Sequence, residues 1–181
     1  MRVLCLLSLI AAPAVADTCP PAADHSDALA ALAREATEAP DRQAGMAISD
    51  RMWALWTDAP DARSQELLDE GMERRQSFDY TGAMAAFEAL IAYCPDYAEG
   101  YNQRAFIAYL REDYAAALPD LDAALARTPR HVAALSGKAL TLIALGRNGE
   151  AALALRAALE LNPWLSEAAL LPVLEQGEDA L

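Results

Sequence analysis

Three stretches decide the fold: residues 71–95 read GMERRQSFDYTGAMAAFEALIAYCP, residues 105–129 read AFIAYLREDYAAALPDLDAALARTP, and residues 139–163 read ALTLIALGRNGEAALALRAALELNP. Each stretch begins 34 residues after the one before it, and each ends on a proline. A repeat of this length is typical of stacked helical hairpins, because a single hairpin cannot bury both of its faces. The sequence therefore predicts an all-α solenoid.

The positions that recur at this spacing have a packing reason. Helices cross closely only where side chains are short, and a large apolar side chain then fills the space between neighbouring hairpins. A proline stops each second helix. The recurring positions are small (Gly71, Ala105, Ala139), alanine (Ala83, Ala117, Ala151), large apolar (Phe87, Leu121, Leu155), apolar (Leu90, Ala124, Ala158) and proline (Pro95, Pro129, Pro163).

The helices expected from this register form three pairs. Gly146 lies in the third turn and supplies backbone freedom where a helix ends. Pro119 falls early in a second helix, where the missing N–H costs least, so we expect a mild bend and no break. The predicted pairs are 65–76 with 81–93, 98–110 with 114–127, and 132–145 with 149–161.

These sets of recurring positions, which we call columns, resemble the tetratricopeptide repeat over about 102 of the 181 residues. The resemblance implies a right-handed superhelical solenoid of helix–turn–helix repeats with helical caps, whose first helices line a concave groove for a protein or peptide. It also implies a structural pair of Arg104 and Asp120, which would set the angle of one hairpin through a charge-assisted hydrogen bond.

The chain divides into four parts. Residues 1–16 have the pattern of a cleaved signal peptide, with Arg2, an apolar run and Ala14-Val15-Ala16 before the expected cleavage site. Residues 17–61 form an N-terminal helical segment, residues 62–165 the three repeats, and residues 166–181 a capping helix and tail. We therefore expect a periplasmic or secreted protein that does not insert into a membrane after the signal peptide is removed.

Both flanking segments are expected to be caps, which solenoids need to cover exposed apolar ends. Residues 25–60 read as a degenerate repeat or a helical hairpin at the N-terminal end, with Trp53 and Trp56 as core anchors. At the other end a helix over 166–176 is expected to begin at Ser166 as N-cap and to cover the last hairpin. Its apolar residues are Leu170, Leu171, Val173 and Leu174.

The two cysteines beyond the signal sequence, Cys19 and Cys94, leave two interpretations open. An oxidising compartment would allow them to form a disulfide, and an even number favours it. The alternative is one buried thiol and one thiol in a mobile N-terminal tail.

Composition and motifs argue against catalysis and against nucleic acid. The net charge of −13 repels polyanions. Neither His25 nor His131 has a metal-binding pattern around it, and a solvated position before a helix is expected for His131. No catalytic, cofactor-binding or metal residues are predicted, and the sequence indicates no enzyme and no cofactor.

The groove is the predicted site for a protein or peptide partner. Helical periodicity assigns three residues of each first helix to its inner side. Some members of the family bind C-terminal carboxylates through clustered basic residues and asparagines, and Leu68 and Met72 disfavour that use here. The alternative is a structural or self-associating module of an envelope assembly, and the oligomeric state stays open. The predicted groove residues are Leu68, Met72, Arg75, Asn102, Phe106, Tyr109, Ser136, Leu140 and Ile143.

Overall fold

The computed structural model describes residues 18–178. All regular structure in this range is helical, with no strand. The predicted signal peptide, residues 1–16, lies outside the described residues. The helices are α1 (Ser26–Glu38), α2 (Arg42–Trp56), α3 (Ala62–Gln76), α4 (Tyr80–Tyr93), α5 (Ala98–Leu110), α6 (Tyr114–Arg127), α7 (Val132–Ala144), α8 (Asn148–Leu161) and α9 (Leu171–Glu178), with a 3₁₀ helix Ser166–Leu170 before α9.

The six helices α3 to α8 form the three predicted hairpins, and their bounds agree with the predictions to within three residues. The columns that define the repeat are the packed positions. Ala83, Ala117 and Ala151 have no exposed surface, and neither do Phe87 and Leu155. A Cβ at Gly71 would overlap the Phe87 ring, so the small residue is what allows α3 and α4 to meet. Burial of these columns confirms the all-α repeat solenoid.

The turns inside the three hairpins share one backbone conformation. Phe78, Glu112 and Gly146, each 34 residues apart, have positive φ angles of 62°, 60° and 72°. Aspartate caps the helix that follows in the first two copies, since Asp79 accepts from the Gly82 N–H and Asp113 from the Ala116 N–H. The chain thus reverses in the same way three times.

Helix α6 continues through Pro119 without a break, as expected. The Arg104–Asp120 pair is also present: Arg104 Nε donates to Asp120 Oδ2 at 2.7 Å and Nη2 to Oδ1 at 2.6 Å. This two-bond contact joins α5 to α6 and raises the pKa of the Arg104 guanidinium.

The N-terminal segment folds as a helical hairpin, but the position predicted for it is wrong. Helix α1 packs against α8, at the opposite end of the array from the first repeat. Two long-range hydrogen bonds fasten the hairpin there: Asn162 Nδ2 donates to Ser49 Oγ at 2.7 Å, and Trp164 Nε1 donates to the Ala36 carbonyl at 2.8 Å. The hairpin is therefore not a fourth repeat stacked before the first.

The other end of α2 contacts the middle of the molecule. Trp56 stacks on the His131 ring with centroids 4.4 Å apart, and its carbonyl accepts a 2.6 Å hydrogen bond from the Tyr97 hydroxyl. Trp56 is buried and Trp53 packs against the same core cluster, as predicted. Helix α2 therefore runs across the array, from the end of α8 to the junction of the first and second repeats.

The C-terminal cap differs from the single helix predicted. Ser166 does not cap it; a short 3₁₀ helix ends at Leu170, and α9 begins at Leu171. Pro172 explains the interruption, because its ring would clash with the carbonyl four residues earlier in a continuous α-helix. Leu174 is buried against the last repeat, whereas Val173 is 68% exposed.

The structure joins Cys19 to Cys94 in a disulfide across 75 residues of sequence. Cys94 is the C-cap of α4 and is buried beside Tyr97 in the core of the first repeat. The bond therefore fixes the residues that precede α1 to the first repeat. With the contacts at α8, the N-terminal segment is held at both ends of the array.

Candidate functional site

A cleft of about 520 Å³ lies between α2 and the side of the array formed by α3, α5 and α7, which we call the inner face. Its volume is within the range of roughly 300–1,000 Å³ usual for ligand pockets. Helix α2 forms one wall, the inner face forms the floor, and the residues after α8 close one end.

Six of the nine predicted groove residues line this cleft. Helix α3 contributes one of them, α5 three and α7 two, so the 34-residue register brings them to one surface. They are Arg75, Asn102, Phe106, Tyr109, Ser136 and Leu140.

The other three predicted groove residues belong to the cores of the repeats. Leu68 is fully buried in the core of the first repeat, where Met72 also packs, so neither lines the cleft. Ile143 packs against the core of the last repeat. Periodicity on a helix assigns a face, but it cannot tell the groove from the adjoining contact with the next helix.

The opposite wall was missed by sequence reasoning. Met46, Asp50 and Trp53 of α2 face the inner face, and Trp164 with Glu167 closes the end. The degenerate repeat or hairpin expected over residues 25–60 would place α2 before the first repeat, so the spacing did not predict that α2 would complete the site. The one available signal was the pair of tryptophans, which require a large apolar partner.

Below the floor lies a buried polar network centred on Glu99, which is 1% exposed. Its carboxylate accepts from His131 Nε2 at 2.8 Å, from Asn102 Nδ2 at 3.1 Å and from Gln103 Nε2. His131 is also the N-cap of α7, since its Nδ1 accepts from the Ala134 N–H. The expectation of a solvated His131 is wrong, because the ring is enclosed between Glu99 and Trp56.

Arg75 is the cation on the cleft floor. Its Nη1 donates to Gln103 Oε1 at 2.7 Å, and its guanidinium carbon lies 5.1 Å from the centroid of the Phe106 ring. Burial lowers the pKa of the Arg75 guanidinium, and the negative charge of Glu99 opposes part of that shift. The group remains charged at neutral pH, because an arginine side chain ordinarily titrates above pH 12.

Within residues 18–178 no group of three or more His, Cys, Asp or Glu side chains is arranged to hold a metal ion. Among the helices of the same range, none has the length and apolarity needed to cross a bilayer. The cleft combines aromatic walls with a few directional polar groups, which is an arrangement suited to binding.

The array and its cleft define a class of protein, the helical-repeat scaffold. The sequence is 36% identical over 72 residues to the tetratricopeptide repeat protein 36 homolog of Nematostella vectensis, and the match covers 40% of each chain. It is 31% identical over 106 residues to a TPR repeat-containing protein of Rhizobium etli, covering 57% of this chain and 50% of that one. The chain spans half or less of the length of these curated relatives. No protein-family model matches the sequence.

Solved structures agree with these relatives. The TPR2B domain of yeast Sti1, solved in an Hsp70 complex, has a TM-score of 0.57 at 28% identity and covers 63% of this chain and 94% of that domain. MamA from Desulfovibrio magneticus has a TM-score of 0.58 at 16% identity and covers 88% of each chain, which shows a similar fold. The repeats of this chain are similar in sequence and in fold to those of tetratricopeptide repeat proteins.

Proposed function

We propose that this protein is an exported, non-catalytic scaffold that binds a short segment of a partner protein in the cleft between α2 and the inner face. The observation that carries the proposal is the cleft itself, where Phe106 and Tyr109 lie beside Arg75 and Asn102. Aromatic side chains bring large contact area at low entropic cost, and the polar groups can hold the backbone of an extended segment.

Similar folds support a peptide as the kind of ligand. The first TPR of Spaghetti (RPAP3) was solved bound to an HSP90 peptide, and a yeast Sti1 fragment was solved in an HSP90 complex. The site proposed here differs in one respect, because α2 of the same chain supplies a wall. A ligand would therefore be held between the repeats and the N-terminal hairpin.

Export is supported by two features. The pattern of residues 1–16 is that of a signal peptide. The Cys19–Cys94 disulfide fits an oxidising compartment such as the periplasm or the cell exterior. Intact-mass measurement on protein recovered from its host should show loss of the first sixteen residues, and a soluble cytoplasmic pool that retains them would refute export.

Binding in the cleft can be tested with peptides selected by phage display against the purified protein. Leu140→Trp fills the floor, and Leu153→Trp is its matched control because Leu153 is 63% exposed on α8 and does not line the cleft. We expect the selected peptides to lose affinity for the Leu140→Trp protein and to keep it for the control. Peptides that bind both variants equally, or a failure to select any, would refute the proposal.

A further inference from the structure

The described part of the chain contains two half-buried arginines, and they differ in one respect. Arg104 is paired through two hydrogen bonds with the carboxylate of Asp120. Arg75 has no carboxylate partner among residues 18–178, and within that range its guanidinium donates a hydrogen bond only to the neutral amide of Gln103. Charges removed from water are normally paired, and the buried part of the Arg75 guanidinium has only a neutral partner.

The guanidinium of Arg75 is also held in a defined orientation. Gln103 fixes Nη1, and the Phe106 ring supports one face of the group. Gln103 is itself fixed by Glu99. The Nε and Nη2 groups therefore remain as donors along one edge, and no acceptor in the described residues takes them. This edge is the one that matches a carboxylate through two parallel hydrogen bonds.

The nearest internal anion does not fill that position. Glu99 turns its carboxylate to His131, Asn102 and Gln103, and Gln103 separates it from Arg75. The acidic residues that line the cleft, Asp50 and Glu167, lie on α2 and beyond α8, and neither pairs with Arg75, whose guanidinium bonds Gln103. Burial lowers the pKa of the Arg75 guanidinium, because the charged group is only partly solvated.

We infer that the bound segment places an internal acidic side chain, Asp or Glu, on the Nε–Nη2 edge of Arg75, next to an apolar or aromatic residue against Phe106 and Tyr109. This inference rests on the proposed function and names the chemistry of its ligand. A side chain is favoured over a chain-terminal carboxylate, because Arg75 is the one residue of α3 that lines the cleft and it offers a single free edge of donors.

The test uses acetylated and amidated hexapeptides built around Leu-Trp, in which one flanking position is Glu, Gln or Lys. The blocked ends exclude a contribution from a terminal carboxylate. We expect the Glu peptide to bind the purified protein about tenfold more tightly than the Gln peptide, as for one charge-assisted contact. The Lys peptide should bind most weakly.

Three variants assign the preference to a residue. Arg75→Gln should bring the Glu peptide down to the affinity of the Gln peptide and leave the Gln peptide unchanged, whereas Arg75→Lys should keep part of the preference. Arg111→Gln is the matched control, because it removes the same charge from an exposed position outside the cleft.

The outcomes separate this inference from the proposed function. Binding of all three peptides with equal affinity, or a preference that survives in Arg75→Gln, would overturn the inference and leave the cleft as a peptide site. Tighter binding of the Lys peptide would show that Asp50 and Glu167 dominate, and would overturn it as well. If no peptide binds while phage selection also fails, the proposed function falls and the inference falls with it.

Discussion

The turn residues of the three repeats share one backbone conformation and differ in how well they tolerate it. Glu112 and Gly146 occupy equivalent positions with φ angles of 60° and 72°. A residue with a Cβ pays roughly 1–2 kcal/mol in this left-handed region, and glycine does not. A Cβ at Gly146 would meet nothing within 4 Å, so a change in stability on substituting Gly146 by alanine comes from the backbone conformation alone.

These facts give a paired prediction for one structural position. Glu112→Gly should raise the free energy of unfolding by up to about 1 kcal/mol, after the larger entropy of glycine in the unfolded chain is subtracted. Gly146→Ala should lower it by about 1 kcal/mol. Urea unfolding monitored by circular dichroism would measure both, and a lower midpoint for Glu112→Gly would show that the turn is not strained.

The Arg104–Asp120 pair gives a second prediction at this scale. Asp120→Asn places an amide against the guanidinium in a contact where the two side chains are only 27% and 13% exposed, and should cost about 1.5–3 kcal/mol of stability. Glu35→Gln is the control, because the Arg51–Glu35 pair is 58% and 52% exposed and should contribute less than about 1 kcal/mol. Equal losses in the two variants, measured by denaturant unfolding, would contradict a structural role for the α5–α6 pair.

At the scale of elements, the periodic helices were predictable and the hairpin α1–α2 was placed wrongly. In each repeat, the recurring small and apolar positions that precede Pro95, Pro129 or Pro163 predict which side chains pack. The hairpin is placed by contacts with no periodic signature, such as the hydrogen bond between Asn162 and Ser49, 113 residues apart. The break before α9 could have been predicted from the sequence, since Pro172 interrupts a continuous α-helix there.

The docking of the hairpin depends on Trp164. Its indole lies against Gly45, where a Cβ would overlap the ring, and its Nε1 donates to the Ala36 carbonyl. Trp164→Ala should therefore release α1 and α2 from α8. It should lower the free energy of unfolding by less than the roughly 3–5 kcal/mol typical of a fully buried tryptophan, because this side chain is only half-buried. Hydrogen exchange should accelerate in α1 and α2 more than in α5 to α7.

The control for that experiment is Leu153→Ala, a truncation of an exposed residue on α8. It should leave exchange in the hairpin unchanged. Uniform acceleration across all helices in Trp164→Ala would mean that the hairpin and the array unfold as one unit, and that the two do not separate at α8.

At the scale of the whole molecule, the chain is a three-repeat array whose inner face is partly covered by its own N-terminal hairpin. The sequence identified inner residues that line the cleft, Arg75, Phe106 and Tyr109 among them, because they follow the repeat. It could not identify α2 as the opposite wall, since that requires the path of the chain from the first repeat to α8.

Helix α2 lies over the inner face and reaches the end of α8, and a pair of engineered cysteines tests this position. Ser49 Oγ and Asn162 Nδ2 are 2.7 Å apart, although 113 residues separate them in sequence. A short bis-maleimide reagent should cross-link the Ser49→Cys/Asn162→Cys protein within one monomer, seen on a denaturing gel and by intact mass. Absence of the cross-link, or cross-linked dimers in place of monomers, would contradict the account.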